Sequence, residues 1–143
     1  IDSVIKINNF YKSKLLRLPT IAILGLNPHC ETTDSTSEEE KEIIPAISHL
    51  KKKKIKVSGP FSADTFFLEK NIKKYDVVVG MYHDQVLTPF KTLFHFDAIN
   101  ITLGLGYLRV SPDHGPAIDL IGKNKANYIS LLQCIKFINN INR

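Results

Sequence analysis

The stretch Thr20-Ile21-Ala22-Ile23-Leu24-Gly25-Leu26 decides the fold class. A short continuous apolar run of this kind is typical of a strand buried on both faces of a parallel sheet. Asn27-Pro28-His29 ends it as a loop. Upstream, Val4, Ile5, Ile7, Phe10, Tyr11 and Leu15 form a helical stripe over residues 2–16, and Pro19 closes that segment.

The alternation continues downstream. Residues 30–37 are polar and read as a surface loop. Ser37-Glu38-Glu39-Glu40 fits a capping box, so a helix starts there. Its acidic first turn and its lysine-rich end, Lys51 to Lys54, both complement the helix dipole. Ile55 to Ser58 reads as a strand, followed by a Gly59-Pro60 turn. Ser62 caps a helix expected to run to about Lys74. Asp76 to Met81 is a second buried strand. A helix begins near Asp84, with Pro89 expected to kink or shorten it. Ala98 to Leu103 is a third strand. Arg109 to Gly122, rich in Pro, Gly, Asp and Ser, reads as loop with at most a helical turn. Residues 127–141 form a last amphipathic helix carrying Ile129, Leu132, Ile135, Phe137 and Ile138. Helices alternating with buried strands mean α/β with a largely parallel sheet flanked by helices.

At 143 residues the chain is one domain's worth. It is read as a single α/β unit over 1–143. It opens on Ile1 rather than Met, so the expectation is a processed chain or a piece of something longer. The net charge is +5, but the lysines are scattered and no Arg-aromatic interleaving accompanies them, which argues against nucleic acid. An anionic substrate is the more economical use of a few of these cations. Cys30 and Cys134 are far apart and match neither a disulfide framework nor a zinc knuckle. No apolar run approaches the ~20 residues that span a bilayer, and no signal-peptide pattern opens the chain. The reading is a soluble, cytoplasmic protein.

In open α/β sheets, ligands bind beyond the C-terminal ends of the strands. Three polar clusters fall at such ends: Asn27-Pro28-His29, Tyr82-His83-Asp84-Gln85, and the segment carrying Arg109 and Asp113-His114-Gly115. His29 and His83 are candidate metal ligands, since neutral imidazole binds borderline divalent ions. Asp84 is placed to orient His83, or to cap the following helix. Lys91, Asn100 and Arg109 are candidates for anion recognition. Asn100 interrupts an apolar strand, where a buried amide needs partners. His49 and His95 read as structural or exposed. Spacing alone yields an α/β domain with a metal or phosphate site and names no reaction.

Five ordered strings go further: Ile-Ala-Ile-Leu-Gly-Leu-Asn-Pro-His (21–29), Ser-Gly-Pro-Phe-Ser-Ala-Asp-Thr-Phe-Phe (58–67), Met-Tyr-His-Asp-Gln (81–85), Asn-Ile-Thr-Leu-Gly-Leu (100–105) and Ser-Pro-Asp-His-Gly (111–115). Together they resemble the C-terminal half of the 4-hydroxythreonine-4-phosphate dehydrogenase family of pyridoxal phosphate biosynthesis, from about residue 20 to about residue 140. The resemblance implies part of an isocitrate/isopropylmalate dehydrogenase-like two-domain fold. It also implies NAD-dependent oxidation and decarboxylation of 4-phosphooxy-threonine. It implies a homodimer with a shared active site and a divalent metal (zinc, magnesium or cobalt) held by three histidines from both subunits.

Carried over residue by residue, His29 and His83 match metal ligands, and His83, Asp84 and Asp64 match catalytic positions. Lys91, Asn100 and Arg109 match substrate contacts, and His114, Gly115 and Asp119 match the cofactor-side loop. The family's first metal histidine lies in an N-terminal region absent here. The loop after His29 is Cys30-Glu31-Thr32-Thr33, without the family's glycine, and Val110 replaces a common Thr. Two alternatives stand beside the dehydrogenase: a truncated, catalytically inactive remnant of it, and a phosphate-binding α/β module.

Overall fold

β1 (Ile21–Leu24) lies between β2 (Val57–Phe61) and β3 (Val77–Val79), both parallel to it, in the computed structural model of the chain, which describes residues 1–30 and 36–141. All four β1 residues are buried. Because strand side chains alternate faces, Ile21 and Ile23 join one core, with Val4 of α1 (Asp2–Lys14) and with Ile47 and Leu50 of α2 (Ile44–Lys52). Ala22 and Leu24 join the other, with Phe66 of α3 (Ala63–Phe66) and with Phe61, Ile72 and Tyr75 around it. The sheet is therefore covered on both faces, as its apolar run requires. Each fully buried Ile or Leu contributes roughly 1.5–3 kcal/mol.

The chain forms two compact units, Ile1–Pro89 and Phe90–Arg143. Several elements of the first unit depart from the sequence reading. The segment from Ser37 does open helically, and Ser37 Oγ accepts the Glu40 N–H at 3.3 Å. Its first turn is a widened π turn over Glu39–Ile43, however, which runs directly into α2 at Ile44, with Pro45, which has no N–H to lose from the ladder, in its first turn.

Gly59-Pro60 is no turn; β2 continues through it with one extra residue, so that Ala22 faces Ser58 but Leu24 faces Phe61. Gly59 makes this possible: its φ is +135°, and a Cβ there would stand 2.3 Å from the Ile23 carbonyl oxygen. The single helix expected from Ser62 to Lys74 is instead two short ones, α3 and α4 (Glu69–Ile72). α5 (His83–Phe94) is not shortened by Pro89, which lies inside it.

In the second unit the expected third strand, β4 (Ile99–Thr102), pairs antiparallel with β5 (Arg109–Pro112) and not with the parallel sheet. β5 occupies ground read from sequence as loop, because Arg109-Val110-Ser111-Pro112 carries turn-rich residues yet takes up the free edge of β4. A 3-10 turn follows at Ile118–Leu120. α6 (Ile129–Ile141) packs on both strands. Its buried Ser130 donates its hydroxyl to the Ala98 carbonyl and accepts the Asp113 N–H at 2.9 Å. No described helix is long and apolar enough to cross a membrane.

Candidate functional site

β1 and β3 run side by side with Ile23 opposite Val79. The segments that follow them, the loop carrying His29 and the start of α5 carrying His83, therefore leave the same end of the sheet from adjacent strands. Both imidazoles are exposed. His29 Nδ1 lies 2.9 Å from Asp64 Oδ2, and His83 Nδ1 lies 2.7 Å from Asp84 Oδ1. In the neutral ring, a carboxylate on Nδ1 favours the tautomer with the proton there, the one in which Nε2 carries the lone pair a metal ligand needs.

Asp64 is itself fixed. Ser62 Oγ donates to Asp64 Oδ1 and lies 2.9 Å from the Pro28 carbonyl oxygen. The Ser62 hydroxyl, and after it His29, hold the Asp64 carboxyl below its ordinary range. Ser62 thus spends its side chain on this network and makes no cap hydrogen bond to the α3 backbone.

Two buried polar residues hold the loops and were not singled out from sequence. Glu39 is 1% exposed, and its Oε1 accepts the Asn27 N–H at 2.8 Å. That bond is the main cause holding its carboxyl below the usual glutamate range, against the opposing effect of burial; the Leu26 N–H adds to it. The signal was present: Glu39 continues the Ile43–Ile47 stripe one turn upstream, on the face that packs inward. Gln85 is 7% exposed; its Nε2 donates to the Gly25 carbonyl at 2.7 Å, and its Oε1 accepts the Met81 N–H at 2.8 Å. A third anchor is Asp76. It accepts the Thr20 N–H at 2.8 Å and pairs with Arg17 at 2.5 Å, which together bring its carboxyl down to about 2.

The remaining candidates lie in the second unit. Lys91 Nζ donates to the Asp113 carbonyl at 2.5 Å and pairs with Asp113 Oδ2 at 2.9 Å, so its charge is already matched. Asn100 is exposed on β4, which corrects the expectation of a buried amide: only one face of this two-stranded sheet is covered by α6. Arg109 is exposed at the start of β5, its Nη1 3.3 Å from Thr102 Oγ1. His114 Nδ1 lies 2.8 Å from the Gly115 carbonyl oxygen. Gly115 stands in open space, and Asp119 is exposed in the 3-10 turn.

Of the altered loop after His29, residues 31–33 lie outside the described residues; Cys30 has a positive φ of 54°. Among the described residues, no group of three His, Cys, Asp or Glu converges as a metal site. A cavity of about 710 Å³ opens between α1, α2 and the sheet, but it holds none of the residues named from sequence as site candidates.

Comparison with known proteins places these features in a family. A profile described as "Pyridoxal phosphate biosynthetic protein PdxA" matches residues 1–138. A 4-hydroxythreonine-4-phosphate dehydrogenase of Bradyrhizobium diazoefficiens is 48% identical over 119 residues, covering 82% of this chain and 34% of that protein. One from Sulfurihydrogenibium sp. is 44% identical over 138 residues, covering 95% and 42%. The crystal structure of a protein so named from Burkholderia phymatum superposes with a TM-score of 0.75 at 33% identity, covering 98% of this chain and 43% of that one. The chain thus spans about a third to two-fifths of the length of the relatives it matches.

Proposed function

This chain belongs to the pyridoxal phosphate biosynthetic protein PdxA family, and from that premise we propose that it carries part of the active site of a 4-hydroxythreonine-4-phosphate dehydrogenase. The reaction is NAD-dependent oxidation of 4-phosphooxy-L-threonine at its hydroxyl, followed by loss of carbon dioxide, within pyridoxal phosphate biosynthesis. The working assembly is a homodimer in the cytoplasm.

The observation that carries this reading is the pair of imidazoles at adjacent strand ends, each with Nδ1 on a carboxylate. His29 and His83 would hold a divalent cation through Nε2. The two imidazoles fit such an ion in kind; among the described residues no third His, Cys, Asp or Glu joins them. When bound, the ion supplies Lewis-acid polarisation of the substrate hydroxyl and carboxylate. Asp64 and Asp84 hold the two rings in one tautomer and orientation. Lys91 and Arg109 offer positive charge to the phosphate and carboxylate, with Asn100 as a neutral donor. Lys91 exchanges Asp113 for the substrate on binding. His114, Gly115 and Asp119 serve the cofactor. Val110, where a Thr is common, gives up a hydroxyl near the substrate.

A second reading, an inactive remnant of the same enzyme, is favoured by the absence of a three-donor cluster among the described residues. NADH formation from 4-phosphooxy-threonine and NAD, measured with and without added zinc or magnesium, separates the two. Metal-dependent turnover supports the dehydrogenase. Substrate binding without turnover, or neither in a folded chain, supports the remnant, and turnover refutes it.

A further inference from the structure

The strand ladder between β1 and β3 ends at Ile23 and Val79, yet the two chains do not separate freely beyond it. Gln85 fills the gap. Its carboxamide carries both donor and acceptor, as a peptide group does in a ladder; Nε2 donates to Gly25 O and Oε1 accepts from Met81 N–H. The side chain acts as one more rung placed where the backbones diverge.

The local sequence is shaped around it. Gly80 has no room for a side chain: a Cβ would stand 2.6 Å from Val86 Cγ1 and 3.1 Å from Gln85 Oε1. Gly25 is more loosely enclosed, where a Cβ would meet Cys30 Sγ at 3.0 Å and Glu39 Oε1 at 3.1 Å. Gln85 is buried, and removing its polar atoms leaves the buried Gly25 carbonyl without this donor and frees the Met81 N–H. Gly25 lies four residues before His29, and Met81 two before His83.

We propose that Gln85 is a positioning residue that fixes the His29 loop relative to the start of α5 carrying His83, so that the two Nε2 atoms face one ion together. The proposal rests on the metal reading given above, and its test separates the two. Zinc affinity is measured by calorimetry for the wild-type chain, His29→Ala, His83→Ala, Gln85→Met and Gln85→Glu, each checked for a wild-type circular dichroism spectrum. Gln85→Met keeps the volume and removes both hydrogen bonds. Gln85→Glu keeps the acceptor for Met81 N–H and loses the donor to Gly25 O.

The expected result is a loss of about 10-fold in Gln85→Met, the lower end of the range for removing a ligand's direct partner, since Gln85 acts one step further out through the backbone, with a smaller loss in Gln85→Glu. Adding His29→Ala to Gln85→Met should then weaken binding less than His29→Ala does alone. Wild-type zinc affinity in a folded Gln85→Met chain, with both histidine variants impaired, overturns the proposal and leaves the metal reading standing. Zinc affinity that neither histidine substitution lowers overturns the metal reading and the proposal with it. Should Gln85→Met not fold, Gln85→Glu decides: wild-type affinity there, with the Gly25 bond gone, overturns the proposal.

Discussion

Replacing Glu39 by Ala tests how the His29 loop is held. The side chain is buried and its Oε1 lies 2.8 Å from the Asn27 nitrogen. A hydrogen bond to a charged acceptor contributes roughly 1.5–3 kcal/mol net. Asn27 is exposed and its freed N–H can turn to water, so the loss is about 2–3 kcal/mol, not the full penalty of a stranded donor. At roughly 4 °C per kcal/mol for a chain of this length, the melting temperature should fall by about 8–12 °C. Glu39→Gln keeps an acceptor in place, with a bond about half as strong, and should cost about 4 °C.

The two variants also differ in pH response. The folded carboxyl lies below its ordinary value, so its stabilisation is complete above the usual glutamate range and is lost as pH falls through the lowered folded value. The gap between wild type and Glu39→Gln should therefore be widest near neutrality and should close in acid. Thermal melts followed by circular dichroism across that range provide the assay. Equal losses in the Ala and Gln variants, or a gap that does not change with pH, would refute the reasoning.

Two further substitutions test the frame around the site. Gly59→Ala puts a Cβ against the Ile23 carbonyl at a φ only glycine adopts comfortably; it should cost on the order of 3 kcal/mol in chemical denaturation, and a loss below about 1 kcal/mol would show that β2 relaxes around it. Asp76→Asn should destabilise at neutral pH by about 1–2 kcal/mol after allowance for solvent screening. The Asp76 carboxyl is lowered from 3.8 to about 2, so that difference should persist above pH 3.8 and vanish as pH falls towards 2; urea melts at several pH values measure it, and a pH-independent difference would contradict the assignment.

Much of this frame was legible in residue pattern. The run at 21–24 announced a strand buried on both faces, and its neighbours supply both cores. α1 and α6 fall close to the apolar periods that predicted them. What misled were residues whose local signal was overruled by pairing. Gly59-Pro60 carries turn chemistry, yet the missing Cβ lets β2 press against Ile23 and continue. Arg109–Pro112 carries loop composition but has the free edge of β4 to pair with. Ser62 resembles a helix cap and instead serves Asp64 and Pro28.

In the site, His29 and His83 stood out as polar groups at strand ends. Their carboxylate partners are unequal in legibility: Asp84 is adjacent in sequence, whereas Asp64 reaches His29 across 35 residues. Glu39 and Gln85 were hidden because one sits in an acidic first turn and the other behind a conspicuous histidine. For Glu39 the one signal was its place on the Ile43–Ile47 stripe; for Gln85 only the packing reveals that it is turned inward.

The central claim is that His29 and His83 form part of a working metal site that also serves the substrate. Calorimetric titration of the purified chain with zinc, with and without 4-phosphooxy-threonine, tests it most directly. The account predicts zinc binding that tightens when the substrate is present, since one ion would contact both imidazoles and the substrate oxygens. Zinc affinity that is the same with and without substrate, or no zinc binding in a folded sample, would contradict it.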